Sequence, residues 1–266
     1  MLFRSSPQVR SGAVLTLGTS GKSAGHLVPK IITLLDDDDA FVRASAAEAL
    51  GKLGPAARAA APILAGKLND KVSRVRAAAV GGLGKTAGDD VTYAALFATA
   101  LNADEASVRI AATRVLSKLP AIATAAAENL VAALVDEDEH VRAGAARALG
   151  VAGKDIASSV PALVQQLRDP VDEVRVEIVR ALGAIGETTP GVIAELGATI
   201  ADPSPKVRRQ GVLTLRGLGP DAMPAVPQLV EALDNKDKDR NSTRLNSTHT
   251  AISYAVFRMQ KKKTHT

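Results

Sequence analysis

The chain has 266 residues, a formal net charge of +5 and 46% hydrophobic residues, of which aromatic residues are only 2% of the whole. Cysteine is absent, which excludes thiol catalysis, cysteine-ligated metals and disulfides. No apolar run is long enough to span a bilayer and no signal-type apolar segment follows Met1, so the expectation is a cytoplasmic chain.

From the front, the dipeptide Val-Arg recurs at Val9-Arg10, Val42-Arg43, Val75-Arg76, Val108-Arg109, Val141-Arg142, Val174-Arg175 and Val207-Arg208, always 33 residues apart. A leucine follows eight residues after each valine, from Leu17 and Leu50 to Leu182 and Leu215. A second apolar column, Leu35, Leu68, Leu101, Leu134, Leu167, Ile200 and Leu233, closes each period. Self-similarity of this kind marks a stacked-repeat architecture. Seven repeats are expected, at 3–35, 36–68, 69–101, 102–134, 135–167, 168–200 and 201–233, with an eighth beginning and the repeat region ending at 238.

Each period predicts two short helices. Val141, Ala145, Leu149 and Ala152 share one helical face, and Val160, Leu163, Val164 and Leu167 share another. Helices this short are marginal alone and must bury their stripes against neighbours. Ser6-Pro7 and Ser204-Pro205 predict a capping hydroxyl followed by a first-turn proline, and Asp39 and Asp138 fall in the same cap column. Two glycine columns, Gly18, Gly51, Gly84, Gly150 and Gly183, then Gly54, Gly153, Gly186 and Gly219, suit left-handed helix stops. Pro29, Pro62, Pro161 and Pro227 either start the second helix or kink it.

Acidic turn, Val-Arg, paired alanines, Leu-Gly, then Pro-x-Leu-x-x-x-Leu: this series resembles HEAT repeats of the phycobilisome-lyase type over about residues 3–237. The resemblance implies an all-α, right-handed α-α superhelix of the HEAT-like or armadillo type. It also implies that an aspartate six residues before each arginine joins a buried ladder, as in Asp37/Arg43, Asp70/Arg76, Asp136/Arg142, Asp169/Arg175 and Asp202/Arg208. Ala103 interrupts this series before Arg109, where Asp104 is the expected substitute. These arginines are therefore read as structural. Deoxyhypusine hydroxylase, also built of HEAT-like repeats, relies on repeated His-Glu pairs; Glu139-His140 is the reverse order, found once.

Other chemistry-bearing stretches are absorbed by the repeat. Thr16 to Ser23 is similar to a phosphate-binding loop, but Thr16 stands where the motif needs glycine, and Gly21 and Lys22 share columns with Gly153 and Lys154. Asp36 to Asp39 lacks the spaced ligands of a calcium loop and reads as a solvated turn. His26 and His140 stand in different repeats and make neither a dyad nor a metal site. No catalytic, cofactor-binding or metal-binding residue is expected.

What remains is a set of cations on the Val-Arg helices: Lys52, Lys85 and Lys118 in one column, and Arg114, Arg147 and Arg180 in the column four residues earlier. The resemblance implies that this helix lines the concave side, where they form a basic stripe for an acidic partner segment or a phosphate backbone. The alternative is an ordinary solvated face with Glu48 and Glu177 nearby.

The pattern stops where the next Val-Arg is due at 240–241. Residues 239–266 begin DRNSTRLNSTHTAISYAVFRMQKKK, which resembles a translated sequencing adapter, departing at Asn241, Thr248 and Arg258-Met259-Gln260. The expectation is a non-native, disordered tail. It carries six of the 33 basic and one of the 28 acidic residues, so without it 27 of each remain and the net charge is zero. High overall basicity is then no argument for nucleic acid. The expected function is a non-catalytic, monomeric scaffold that binds a protein or peptide. The alternatives are handling of a chromophore or pigment-protein partner, implied by the resemblance, and nucleic-acid backbone binding by the stripe.

Overall fold

The computed structural model describes residues 6–234, and every regular element among them is helical. The tail at 239–266, expected to be non-native and disordered, lies outside the described residues.

 Helices α1 (Pro7–Thr19), α3 (Ala40–Leu53), α5 (Ser73–Ala87), α7 (Ala106–Leu116), α10 (Glu139–Ala152), α12 (Asp172–Ile185) and α14 (Pro205–Leu218) each carry one Val-Arg pair. Between them lie the shorter α2 (Val28–Thr33), α4 (Ala61–Gly66), α6 (Ala94–Leu101), α8 (Pro120–Ala125), α9 (Ala127–Ala133), α11 (Val160–Gln165), α13 (Pro190–Ala198) and α15 (Val226–Asp234). Several of these are entered or left through 3-10 turns, such as Gly54–Ala60 and Lys67–Asn69 around α4. The chain divides into two compact units, Met1–Ala148 and Leu149–Thr266, and the division falls within α10.

In the first unit the core joins the two apolar stripes. Val42, Leu50, Val75, Leu83, Val108 and Leu116 are buried from the long helices, Ile31, Leu64, Phe97, Leu101 and Leu130 from the short ones, and Leu35 from the 3-10 turn that follows α2. The second unit repeats the scheme with Val174, Leu182, Val207 and Leu215 against Leu163, Ile193, Leu196 and Leu229. Each such side chain contributes about 1.5–3 kcal/mol when fully buried, which is how helices of two to four turns become stable. Val9, in the same column as Val42, is instead 57% exposed.

Helix ends follow the residue chemistry with two corrections. The Asp39 carboxylate accepts from the amides of Phe41 and Val42, and Asp138 does the same for His140 and Val141, as N-caps should. Ser6 and Ser204 occupy cap positions, but neither hydroxyl caps its helix. The Ser204 hydroxyl donates to Asp172 at 2.8 Å instead, because that carboxylate is the stronger acceptor. The four prolines start the second helices: Pro29, Pro62, Pro161 and Pro227 each follow the first residue of α2, α4, α11 and α15, where no amide hydrogen is needed.

The two glycine columns do different work. Gly54 ends α3 with φ 59° and ψ −132°, and Gly186 ends α12 in the left-handed region, so these are stops. Gly18, Gly51, Gly84, Gly150 and Gly183 are not; they lie inside their helices at points of close approach. A Cβ on Gly51 would sit 2.9 Å from the Cα of Gly82, and one on Gly84 would sit 2.4 Å from Val115. These glycines let α3, α5 and α7 pack near the short end of the usual interhelical range.

Candidate binding groove

The Val-Arg arginines are consumed by the fold. Arg43 donates from Nε and Nη2 to both carboxylate oxygens of Asp70, at 2.8 and 3.0 Å. Its Nη1 reaches the carbonyls of Asp37 and Asp38. Arg10 grips Asp37, Arg109 grips Asp136 and Arg175 grips Asp202 in the same two-pronged way. The carboxylate partner is therefore 27 residues ahead, while the aspartate six residues behind offers only its carbonyl. This corrects the expected register. Each gripped aspartate also accepts from the amide two residues on, as Asp70 does from Val72 at 2.9 Å. A planar group with five donors can join two turns at once; an ammonium cannot.

Charge regulation reflects this geometry. Arg10's hydrogen bonds hold the Asp37 carboxyl below the usual range. Burial pushes the Asp70 carboxyl up, but the bonds from Arg43 and from the Val72 amide outweigh it and leave the pKa lowered. Hydrogen bonding to Asp70 raises the pKa of Arg43.

The gap at Ala103 is felt by Arg76, not by Arg109. Arg109 finds the carbonyls of Ala103 and Asp104 and the carboxylate of Asp136. Arg76 has no carboxylate at the 27-residue position and pairs with Glu105. Asp104 supplies a carbonyl rather than the expected carboxylate.

The acidic turn at Asp36 to Asp39 is likewise occupied from within the protein. Lys67 Nζ lies 2.6 Å from Asp36, Arg10 holds Asp37 and Asp39 caps α3. No cluster of three or more His, Asp or Glu side chains suited to a metal occurs among the described residues. The segment resembling a phosphate loop begins in the last turn of α1, and Gly18 there packs on Ala49 of α3. The Thr16 hydroxyl donates to the Gly12 carbonyl of its own helix.

A groove of about 1120 Å³ opens over α5 in the first unit. Its floor is Ala77, Ala78 and Gly81, residues too small to fill the space between α3 and α7. Lys52, Arg74, Lys85, Arg114 and Lys118 line it, against the single acid Glu48. No ion pair engages these five cations among the described residues. At one end Arg74 lies over the ring of Phe41, 4.6 Å from its centroid, and that ring is 59% exposed.

Four of the six expected stripe residues, Lys52, Lys85, Arg114 and Lys118, thus share one groove. Arg147, exposed on α10, does not line it. Arg180 belongs to the second unit, where it pairs with the buried Glu177 at 2.7 Å and reaches Gln210. Sequence reasoning missed Arg74 and the floor. Arg74 stands beside the Val-Arg column, where its neighbours in register are Phe41 and Ser107 and the column further on holds His140, Glu173 and Lys206, so no consistent charge marks it. The second unit has a groove of about 560 Å³ beside α11 and α13, lined by Val160, Val164 and Val192 with Glu187 and Glu195.

Comparison with known proteins places this geometry. No curated protein sequence matches the chain. Its backbone is similar to that of importin beta, with a TM-score of 0.61 at 16% identity, over 90% of this chain and 36% of that one. It is also similar to a designed armadillo repeat protein, with a TM-score of 0.57 at 18% identity over 72% of this chain and 100% of that one. The complex of CpcE and CpcF of phycocyanin lyase from Nostoc sp. PCC7120 matches with a TM-score of 0.53 at 20% identity, over 87% of this chain and 94% of that one. At these identities the likenesses show an all-helical HEAT and armadillo-type fold. No helix among the described residues is long and apolar enough to cross a membrane. The family model for HEAT repeats matches residues 2–84 and 160–246, more than half of the sequence, and the chain belongs to that family.

Proposed function

We propose that the chain is a non-catalytic protein-binding scaffold whose first unit holds an acidic polypeptide segment in the groove over α5. On this reading residues 3–238 are one run of 33-residue repeats, and the ladder arginines build it while the groove cations act. The observation that carries the reading is the groove itself: five cations face one acid across a floor of alanine and glycine. Exposed cations concentrated in a concavity raise the local potential and attract acidic segments. Fluorescence anisotropy with labelled poly-glutamate tests it. Binding should weaken as salt is added, and the variant Lys85→Glu/Arg114→Glu/Lys118→Glu should lose it. Equal binding by the variant would remove the groove from consideration.

A second reading, a part in handling a pigment-protein partner, is favoured only by the likeness to the CpcE and CpcF complex. A visible-absorbing adduct after incubation with a bilin would support it; an unchanged spectrum would count against it.

A further inference from the structure

Resting on the reading of the groove as a protein-binding surface, we propose that it selects acidic polypeptide in the polyproline II conformation, with one carboxylate at every third residue. Lys52, Lys85 and Lys118 occupy one column, spaced by 33 residues, and all three line the groove. Lys52 is in α3, Lys85 in α5 and Lys118 just beyond the end of α7. Helix α5 packs against both α3 and α7. The glycine contacts Gly51 to Gly82 and Gly84 to Val115 keep those three helices close. Successive lysines are therefore one interhelical step apart, about 8–10 Å.

An occupant lying across the three helices has to present carboxylates at that interval. A polyproline II segment rises about 3.1 Å per residue with three residues per turn, so every third side chain returns to the same face after about 9 Å. A β-strand fails the test, because residues three apart point to opposite faces. An α-helix brings a residue back to the same face after about 5.4 Å or about 10.8 Å, which fall on either side of one step. The polyproline II form also has no internal hydrogen bonds to lose and little entropy to surrender on binding.

The second column gives the groove a direction. Its members are Glu48, Gly81 and Arg114, one helical turn before Lys52, Lys85 and Lys118. Glu48 offsets Lys52 at the α3 end, whereas Arg114 doubles the positive charge beside Lys118 at the α7 end. The acid-rich end of the occupant belongs over α7. No aromatic residue lines the groove, and the Phe41 ring at its end already has Arg74 over one face, so polypeptide is favoured over single-stranded nucleic acid.

The test compares three labelled probes on the full chain: a twelve-residue peptide of four Glu-Pro-Pro triplets, a peptide of the same composition with its glutamates grouped in adjacent pairs, and an oligothymidylate of equal charge. The triplet peptide should bind about tenfold more tightly than the grouped one. Lys85→Gln and Lys118→Gln should each erase that preference, while Lys30→Gln, on α2, should keep it. Equal binding of both peptides with sensitivity to Lys85→Gln overturns the three-residue register and leaves the groove as the binding surface. Binding of neither peptide, or binding indifferent to Lys85 and Lys118, overturns both. Tighter binding of the oligothymidylate overturns the choice of polypeptide.

Discussion

Arg76 reaches past Ala103 to the carboxylate of Glu105, two residues beyond the position at which Arg43 finds its partner Asp70. The consequence is a more open pair. The Arg76 and Glu105 side chains are 19% and 44% exposed, against 7% and 7% for Arg43 and Asp70.

Restoring the missing carboxylate should strengthen this rung. Ala103→Asp places an acceptor 27 residues from Arg76, and Arg109 keeps its bond because it uses only the residue 103 carbonyl. The expected gain is about 1 kcal/mol, a rise in Tm of about 2–4 °C. An unchanged or lower melting temperature would show that Glu105 already serves as well.

Breaking an intact rung should cost more. Arg43→Met leaves the buried Asp70 carboxylate without its guanidinium, a loss of about 3 kcal/mol in urea unfolding. Arg43→Lys should recover less than half, since one ammonium cannot grip a carboxylate and two carbonyls together. Full recovery with lysine would mean that charge alone holds the turns.

Two glycines on α5 should answer oppositely to alanine. A Cβ on Gly84 meets the stiff Val115 side chain at 2.4 Å, so Gly84→Ala should destabilise by about 1–3 kcal/mol. Gly81 has nothing within 4 Å of such a Cβ, so Gly81→Ala should stabilise by about 0.5–1 kcal/mol. Thermal melts of the pair decide, and shifts of the same sign would refute the distinction.

Acid should loosen the first unit through named carboxylates. Asp37, Asp70 and Glu105 all have folded pKa values below their ordinary ones. A depressed carboxyl binds fewer protons folded than unfolded, so its contribution is complete above its ordinary value near pH 4 and is lost as pH falls through the lower folded value. Urea midpoints should be flat from about pH 7 to 5 and decline below about 4. Asp70→Asn should reduce the slope of that decline; an unaltered slope would assign the effect to other groups.

The helices were legible because the Val-Arg and leucine columns report burial directly: a stripe that recurs in step must face the same core. Other features were not. The resemblance to HEAT repeats implied that the aspartate six residues before Arg43 pairs with it in the ladder, yet at that distance in the chain the arginine meets the backbone of the turn, and the carboxylate comes from the next turn in the stack. The helical glycines read as stops because composition does not distinguish an unusual φ from a close contact. The groove was half legible. Lys52, Lys85 and Lys118 announce themselves by column, but Ala77, Ala78 and Gly81 form a floor by being small, and small residues are just as frequent in a tight core.

The 27-residue grip also bears on how the protein comes to be folded. Each rung from Arg10 to Asp37, or Arg43 to Asp70, closes a loop of about a tenth of the 266-residue chain. Short loops cost little entropy to close and do not wait for distant strands of sequence to meet. Folding can therefore begin at any intact rung and spread to its neighbours, without one obligatory nucleus. A lesion in such a chain is survived locally: the rung fails, the adjoining ones persist, and the damage appears as a patch of rapid amide exchange rather than as loss of the whole molecule.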